Sequence, residues 1–194
     1  MLQLSRKHSF DEVFDSQSVF RLVLEAMSNP SRVVSVKAYS DKLYGEHPAM
    51  LALGLTLLDN EVSFHSCENH ALSDEIVSLT LARRAGLALA DFVFVCSSAD
   101  LPEVLKNVKC GTLSDPHKSV TVVIQDDGSP ICEMLLYGPG IDGRIAVMVS
   151  ETVKTALQLR EEQCYEYPQG IDLLFVTGSG ELFALPRLVC WEVR

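Results

Sequence analysis

Two short strands close this chain with an opposite charge at each outer end, and that hairpin restricts the folds open to it. Ile171 to Val176 is an apolar strand with Asp172 one residue inside it. Thr177 to Gly180 supply a Gly-Ser-Gly turn, and Glu181 to Leu185 run into Pro186-Arg187. A tight turn makes the two strands antiparallel neighbours, so the carboxylate and the guanidinium lie at the same end. A surface hairpin needs only alternation and a turn. An aspartate inside an apolar strand is costly unless it is paired or hydrogen-bonded. Arg187 is its partner across the hairpin in one reading. In the other, the planar guanidinium binds a phosphate or carboxylate, with the outlet of a sheet setting both residues beside a ligand or a partner.

The rest of the chain alternates between the two periods. Phe14 to Ser28 reads as a helix, with Val19, Phe20, Val23, Leu24 and Met27 on its apolar face and Arg21 and Glu25 in water. Asn29-Pro30 ends it, because the residue before a proline avoids helical geometry. Arg32 to Val36 is a strand, Pro48 to Leu58 a buried helix with proline in its first turn, and Val62 to His65 a short strand. Ser73 to Arg84 reads as a helix capped by Ser73, with Arg83-Arg84 at its negative end and Gly86 as its stop. Ala90 to Cys96 is a continuous apolar run, as expected for a strand covered on both faces. A helix over Leu101 to Val108 and a strand over Val120 to Ile124 follow. After the turn at Asp126 to Pro130, Glu133 to Leu136 pairs as a strand. Arg144 to Val149 fits either a strand or the first turn of a helix. Glu151 to Glu162 is helical, and Val189 to Val193 adds a last strand. Helices among strands, then strands joined by tight turns, specify an α/β fold: a mixed sheet with helices on its faces, in a single three-layer domain over residues 1–194.

Composition narrows the function. With 194 residues and 47% hydrophobic content, the chain can bury a core without staples. A net charge of −10 argues against nucleic acid, since phosphate-backbone binding relies on clustered Lys and Arg. No apolar run approaches the 18 or so residues that span a bilayer, and Met1 to His8 lacks the apolar core of a secretion signal, so a cytoplasmic location and no membrane partner are expected. Cys67, Cys96, Cys110, Cys132, Cys164 and Cys190 are widely spaced with no C-x-x-C, and read as reduced packing residues.

Other polar groups carry two readings each. His65, Cys67, Glu68 and His70 invite a metal, but their spacing matches no common zinc arrangement, and a loop explains them. Asp115-Pro116-His117-Lys118 stands before a strand, as in enzymes that hold pyridoxal phosphate as a lysine Schiff base; the alternative is an exposed lysine. Asp59-Asn60 either contacts a ligand or ends the buried helix. The glycine turns at 138–140 and 178–180 lack phosphate-loop spacing, and no G-x-S-x-G elbow marks a nucleophile.

Five stretches in order resemble one family. They are Phe20-Arg21-Leu22-Val23-Leu24-Glu25-Ala26-Met27-Ser28-Asn29-Pro30, Leu55-Thr56-Leu57-Leu58-Asp59-Asn60, Gly111-Thr112-Leu113, Leu136-Tyr137-Gly138-Pro139-Gly140-Ile141, and the closing hairpin through Pro186-Arg187. Together they are similar to the PhnH family of the bacterial carbon–phosphorus lyase system. The chain departs from that pattern at Ser31, where the family has glycine, and at Leu188-Val189, where it has two threonines.

The resemblance implies use of phosphonates as a phosphorus source. It implies a homodimer within an assembly that also contains the G, I and J subunits, with the nucleotide-binding-cassette proteins K and L as accessory partners. There, with G, I and L, a PhnH protein supports displacement of adenine from MgATP by an alkylphosphonate, giving ribose 1-phosphonate 5-triphosphate. Radical cleavage of the carbon–phosphorus bond belongs to the iron–sulfur protein J. The resemblance also implies the fold of pyridoxal-phosphate-dependent transferases without the cofactor, and an assembly role more than independent catalysis. Asp172, Arg187, Asp59 and Asn60 are the candidate substrate-binding or interface residues. A stand-alone pyridoxal enzyme using Lys118 is the alternative.

Overall fold

The computed structural model describes residues 8–163 and 165–193. A seven-stranded sheet runs in the order β1-β9-β8-β5-β4-β2-β3. Its strands are β1 (Val34–Ser35), β2 (Ser63–His65), β3 (Arg83–Arg84), β4 (Phe92–Val95), β5 (Thr121–Gln125), β8 (Asp172–Val176) and β9 (Glu181–Leu185). The block from β3 to β8 is parallel, while β9 returns antiparallel to β8 and β1 is antiparallel to β9. The sheet is therefore mixed. A second sheet holds β10 (Cys190–Val193), β6 (Cys132–Tyr137) and β7 (Arg144–Val149), all antiparallel.

The central strands bury both faces, which explains their unbroken apolar runs. On one face Phe64, Phe94, Val123, Leu174 and Leu182 pack with helices α1 (Phe14–Ser28), α3 (Pro48–Leu57) and α4 (His70–Thr80). On the other, Val93, Val95, Val122, Ile124, Leu173 and Phe175 meet α5 (Leu101–Asn107), α6 (Glu151–Glu161) and the three-stranded sheet. The short α2 (Lys37–Ser40) had no signal in the sequence.

Several expectations change. The buried stripe of α1 is Val19, Val23 and Ala26, whereas Phe20 and Leu24 are 44% and 49% exposed. These two side chains sit one residue on from the stripe, about 100° around the helix, and so turn away from the core. Helix α4 begins at His70, because the Asn69 side chain accepts the Leu72 N–H at 3.0 Å and serves as the cap. Ser73 lies inside the helix, where its Oγ accepts from Arg84 Nε at 2.7 Å. The helix ends at Thr80, with Leu81 capping it in the left-handed conformation at φ +60°, and does not run on to Gly86. Arg83 and Arg84 belong to strand β3, held by parallel pairing to Ser63 and Phe64. Arg144 to Val149 is a strand, in register with β6 along its whole length.

Candidate functional site

Asp172 opens β8 and stands beside Thr121, the first residue of β5. Because β9 runs back, its end at Leu185 faces Leu173, and Arg187 arrives at the amino edge of the parallel strands. This corrects the expectation that the pair lies at the outlet of the sheet, since ligands of open parallel sheets gather at the carboxyl edge. The pair itself is closed. Asp172 Oδ1 accepts the Arg187 backbone N–H at 2.8 Å and Nε at 3.2 Å. Its Oδ2 accepts Nε at 3.1 Å and also Nη2, and Nη1 donates to the carbonyl of Pro116. The two side chains are 10% and 20% exposed. A bidentate pair of this kind answers the desolvation of both charges.

Arg160 supports the same corner from below. It is 2% exposed, and burial works to lower its pKa. Its Nη1 donates to the carbonyls of Leu185 and Pro186 at 3.2 Å each, and Nη2 donates to Val189 at 2.7 Å. Helix α6 thus anchors the loop that carries Arg187.

The ordered family stretches are close approaches of backbone. Gln169 Nε2 donates to Gly111 O and Gly170 N to Cys110 O, both at 2.9 Å, so the third stretch meets the last. Gly170 has a φ of +148°, and a Cβ there would lie 2.8 Å from Arg187 Cβ. Gly140, at φ +83°, faces Ser28 O, which an added Cβ would meet at 2.6 Å. The fourth stretch therefore packs on the first.

Asp59 Oδ1 accepts the N–H groups of Glu61 and Val62 at 2.8 and 3.3 Å, which shapes the exposed loop between α3 and β2. Asn60, beside it, is exposed. Since β2 is three strands from β8, these two residues do not join Asp172 and Arg187. Asp91 also works at the amino edge, accepting Ser63 N at 2.8 Å, Ser63 Oγ at 2.7 Å, and Lys109 Nζ. Burial pushes the Asp91 pKa up, but the hydrogen bonds from Lys109 and Ser63 outweigh it and hold the carboxyl below its ordinary value.

The remaining candidates separate. His65 Nδ1 lies 3.1 Å from Ala85 O, and no three His, Cys, Asp or Glu side chains among the described residues converge on a metal position. Burial pushes the thiols of Cys67 and Cys96 up to about 12 and about 11, so both are protonated and poor nucleophiles at neutral pH. The described cysteines are free, and Cys164 lies outside the described residues, as do residues 1–7 of the amino-terminal reading. Lys118 is 64% exposed and paired with Asp115 at 3.1 Å. A Schiff-base lysine needs an enclosing pocket for the pyridoxal ring, and these surroundings do not fit one.

A polar chain that sequence reasoning missed lies at the carboxyl edge. His47 precedes α3, and its Nδ1 is 2.6 Å from Gln125 Oε1 at the end of β5. Gln125 Nε2 donates to Asp127 Oδ2 at 2.6 Å, and Asp127 Oδ1 accepts the Gly178 N–H. His47 and Gln125 are 78 residues apart, which leaves no local pattern to find.

Fold and charges define a layered α/β protein whose most conspicuous ion pair staples one edge of the sheet. The family model for bacterial phosphonate metabolism protein (PhnH) matches residues 8–191, and the chain belongs to that family. It is 30% identical over 176 residues to a putative C-P lyase subunit protein HtxG of Stutzerimonas stutzeri, covering 88% of this chain and 83% of that protein. It is also 28% identical over 189 residues to the alpha-D-ribose 1-methylphosphonate 5-triphosphate synthase subunit PhnH of Rhizobium meliloti (strain 1021), covering 91% and 90%.

Proposed function

We propose that this protein is a non-autonomous subunit of a carbon–phosphorus lyase assembly. In this reading it supports the conversion of MgATP and an alkylphosphonate to ribose 1-phosphonate 5-triphosphate, with adenine displaced. The observation that carries the proposal is the reach of the likeness, since the relative named as a subunit of that synthase aligns over 91% of this chain. Its setting is the cytoplasm, and its working form is a homodimer bound to the G, I and J subunits, with K and L as accessory partners. No helix among the described residues is long and apolar enough to cross a membrane.

The closed Asp172–Arg187 pair favours assembly over direct chemistry, because its guanidinium is already bonded to Asp172 and Pro116. We assign Asp172 and Arg187 to holding the amino edge in shape for neighbouring subunits, and Asp59-Asn60 to the rim of that edge. Co-expression with the G, I and J subunits tests the proposal. The tagged protein is expected to retain all three through purification, and a strain lacking its gene should fail to grow on methylphosphonate as sole phosphorus source. A protein that purifies alone, or a deletion strain that grows, overturns the reading.

A further inference from the structure

Strand β7 borders the three-stranded sheet, and its outer side is open. All six of its residues pair with β6 in unbroken register. Among the described residues no strand pairs with its other side, and no backbone group of Arg144 to Met148 bonds outside the sheet. An open edge offers a row of N–H and C=O groups to a further strand, and proteins blunt such edges with proline, lysine or a bulge. Arg144-Ile145-Ala146-Val147-Met148-Val149 contains neither proline nor lysine, and the register leaves no bulge.

Beside that edge is a cavity of about 200 Å³ that Asp172, Arg187 and His47 do not line. Val147, Met148 and Val149 all border it. Side chains of successive strand residues alternate between faces, so three in a row meet a cavity only along the edge of their strand. The rings of Phe175 and Phe183, stacked with centroids 5.2 Å apart, and Leu182 extend the apolar lining. Val33 lines it too, and like Met148 it is exposed, so the apolar surface continues out to solvent. Ile145 shares the core-facing side of β7 with Val147 and Val149, yet Val149 is buried and Ile145 is exposed. An apolar side chain on the inner face of the sheet is thus left without cover.

We propose that β7 pairs antiparallel with the β7 of a second copy of this chain, joining two three-stranded sheets into one, with Ile145 of each copy covering the cavity of the other. This rests on the homodimer in the proposed function and names its surface. Two features select a second copy as the occupant. The first is that the strand matches itself. Its core-facing residues Ile145, Val147 and Val149 are all β-branched, so pairing centred on Val147 sets Ile145 of each copy beside Val149 of the other, on the same two-fold patch. The second is charge. The same register brings Arg144 of each copy opposite Ser150 of the other. There the Asp126 carboxylate accepts Ser150 Oγ at 2.8 Å, and Glu151 is exposed next in the chain. The basic end of the strand therefore meets the acidic end of its twin.

A cysteine cross-link and sedimentation of the full-length protein test the proposal. Ala146 and Met148 are exposed, and the register sets Ala146 of one copy opposite Met148 of the other. Opposed residues of an antiparallel pair are roughly 4.5–5.5 Å apart at Cα, within reach of a disulfide. Ala146→Cys and Met148→Cys proteins, co-expressed and oxidised with oxidised glutathione, should give a 146–148 disulfide identified by peptide mass, and neither variant alone should give a disulfide at that edge. Ile145→Asp sets a carboxylate against the apolar lining of the other copy and should weaken the dimer roughly thirtyfold or more, with unchanged far-ultraviolet circular dichroism. Ile145→Val should keep the dimer. A dimer that Ile145→Asp leaves intact, or one in which the 146–148 disulfide does not form, overturns this surface and leaves the homodimer standing. A protein that is monomeric at every concentration overturns both. Loss of the G, I and J subunits instead of the dimer in Ile145→Asp gives the edge to another subunit and also overturns the proposal. The lyase reading itself is tested separately, on the unsubstituted protein.

Discussion

Truncating Arg187 leaves the Asp172 carboxylate 10% exposed and without its counter-charge, the situation in which one missing partner costs most. Arg187→Ala and Asp172→Ala are each expected to lower stability by about 3 kcal/mol, and the double substitution by less than their sum. Urea denaturation of the four proteins measures the coupling, and simple additivity would show that the pair is not a unit. Arg160→Lys should also destabilise, because one ammonium cannot span the carbonyls of Leu185, Pro186 and Val189. Acid sensitivity resides in Asp15 and Asp91. Burial raises the pKa of Asp15, but the Asp11 N–H and Lys42 more than offset this, as Lys109 and Ser63 do for Asp91, and both carboxyls titrate below the ordinary 3.8. A depressed folded value means the contribution is complete above 3.8 and disappears as pH falls through the depressed value. Stability measured downward from neutral pH should therefore decline below 3.8, and less steeply in Lys42→Met and Lys109→Met.

Helices and strands were legible wherever a local period decided them. The span of α1 follows from Phe14 to the Asn29-Pro30 stop, and the closing hairpin from its turn. The start of α4 was not legible, because Asn69 and Ser73 are both competent caps and only the position of the Leu72 N–H separates them. Asn69→Ala is expected to cost about 1 kcal/mol as the loss of a cap, measured by thermal melting. Strand β3 had no signature at all: two arginines carry no strand preference, and their pairing comes from β2 alongside. Gly140 expresses the same dependence on neighbours. An alanine there must move the Ser28 carbonyl, and at φ +83° it is strained in any case, so Gly140→Ala should lose roughly 1–3 kcal/mol and loosen the contact between the first and fourth family stretches. Amide exchange at Ser28 and Asn29 reports that loosening.

At the scale of the whole molecule, the proposed homodimer should sediment at twice the chain mass of 21.4 kDa, and a concentration-independent monomer would remove it. What the chain determined by itself is local. Periodicity, turn residues and proline placed most elements, and antiparallel return put Asp172 and Arg187 at one end of a hairpin, because these depend on contacts a few residues apart. Strand order and register belong to the tertiary structure. They decided that this hairpin end falls on the amino edge and closes over Pro116, that the glycine stretches meet in pairs, and that His47 finds Gln125 across 78 residues. The physical reason is that a sheet edge is made by neighbours distant in the chain, and a side chain's partner there is set by which strands lie beside it.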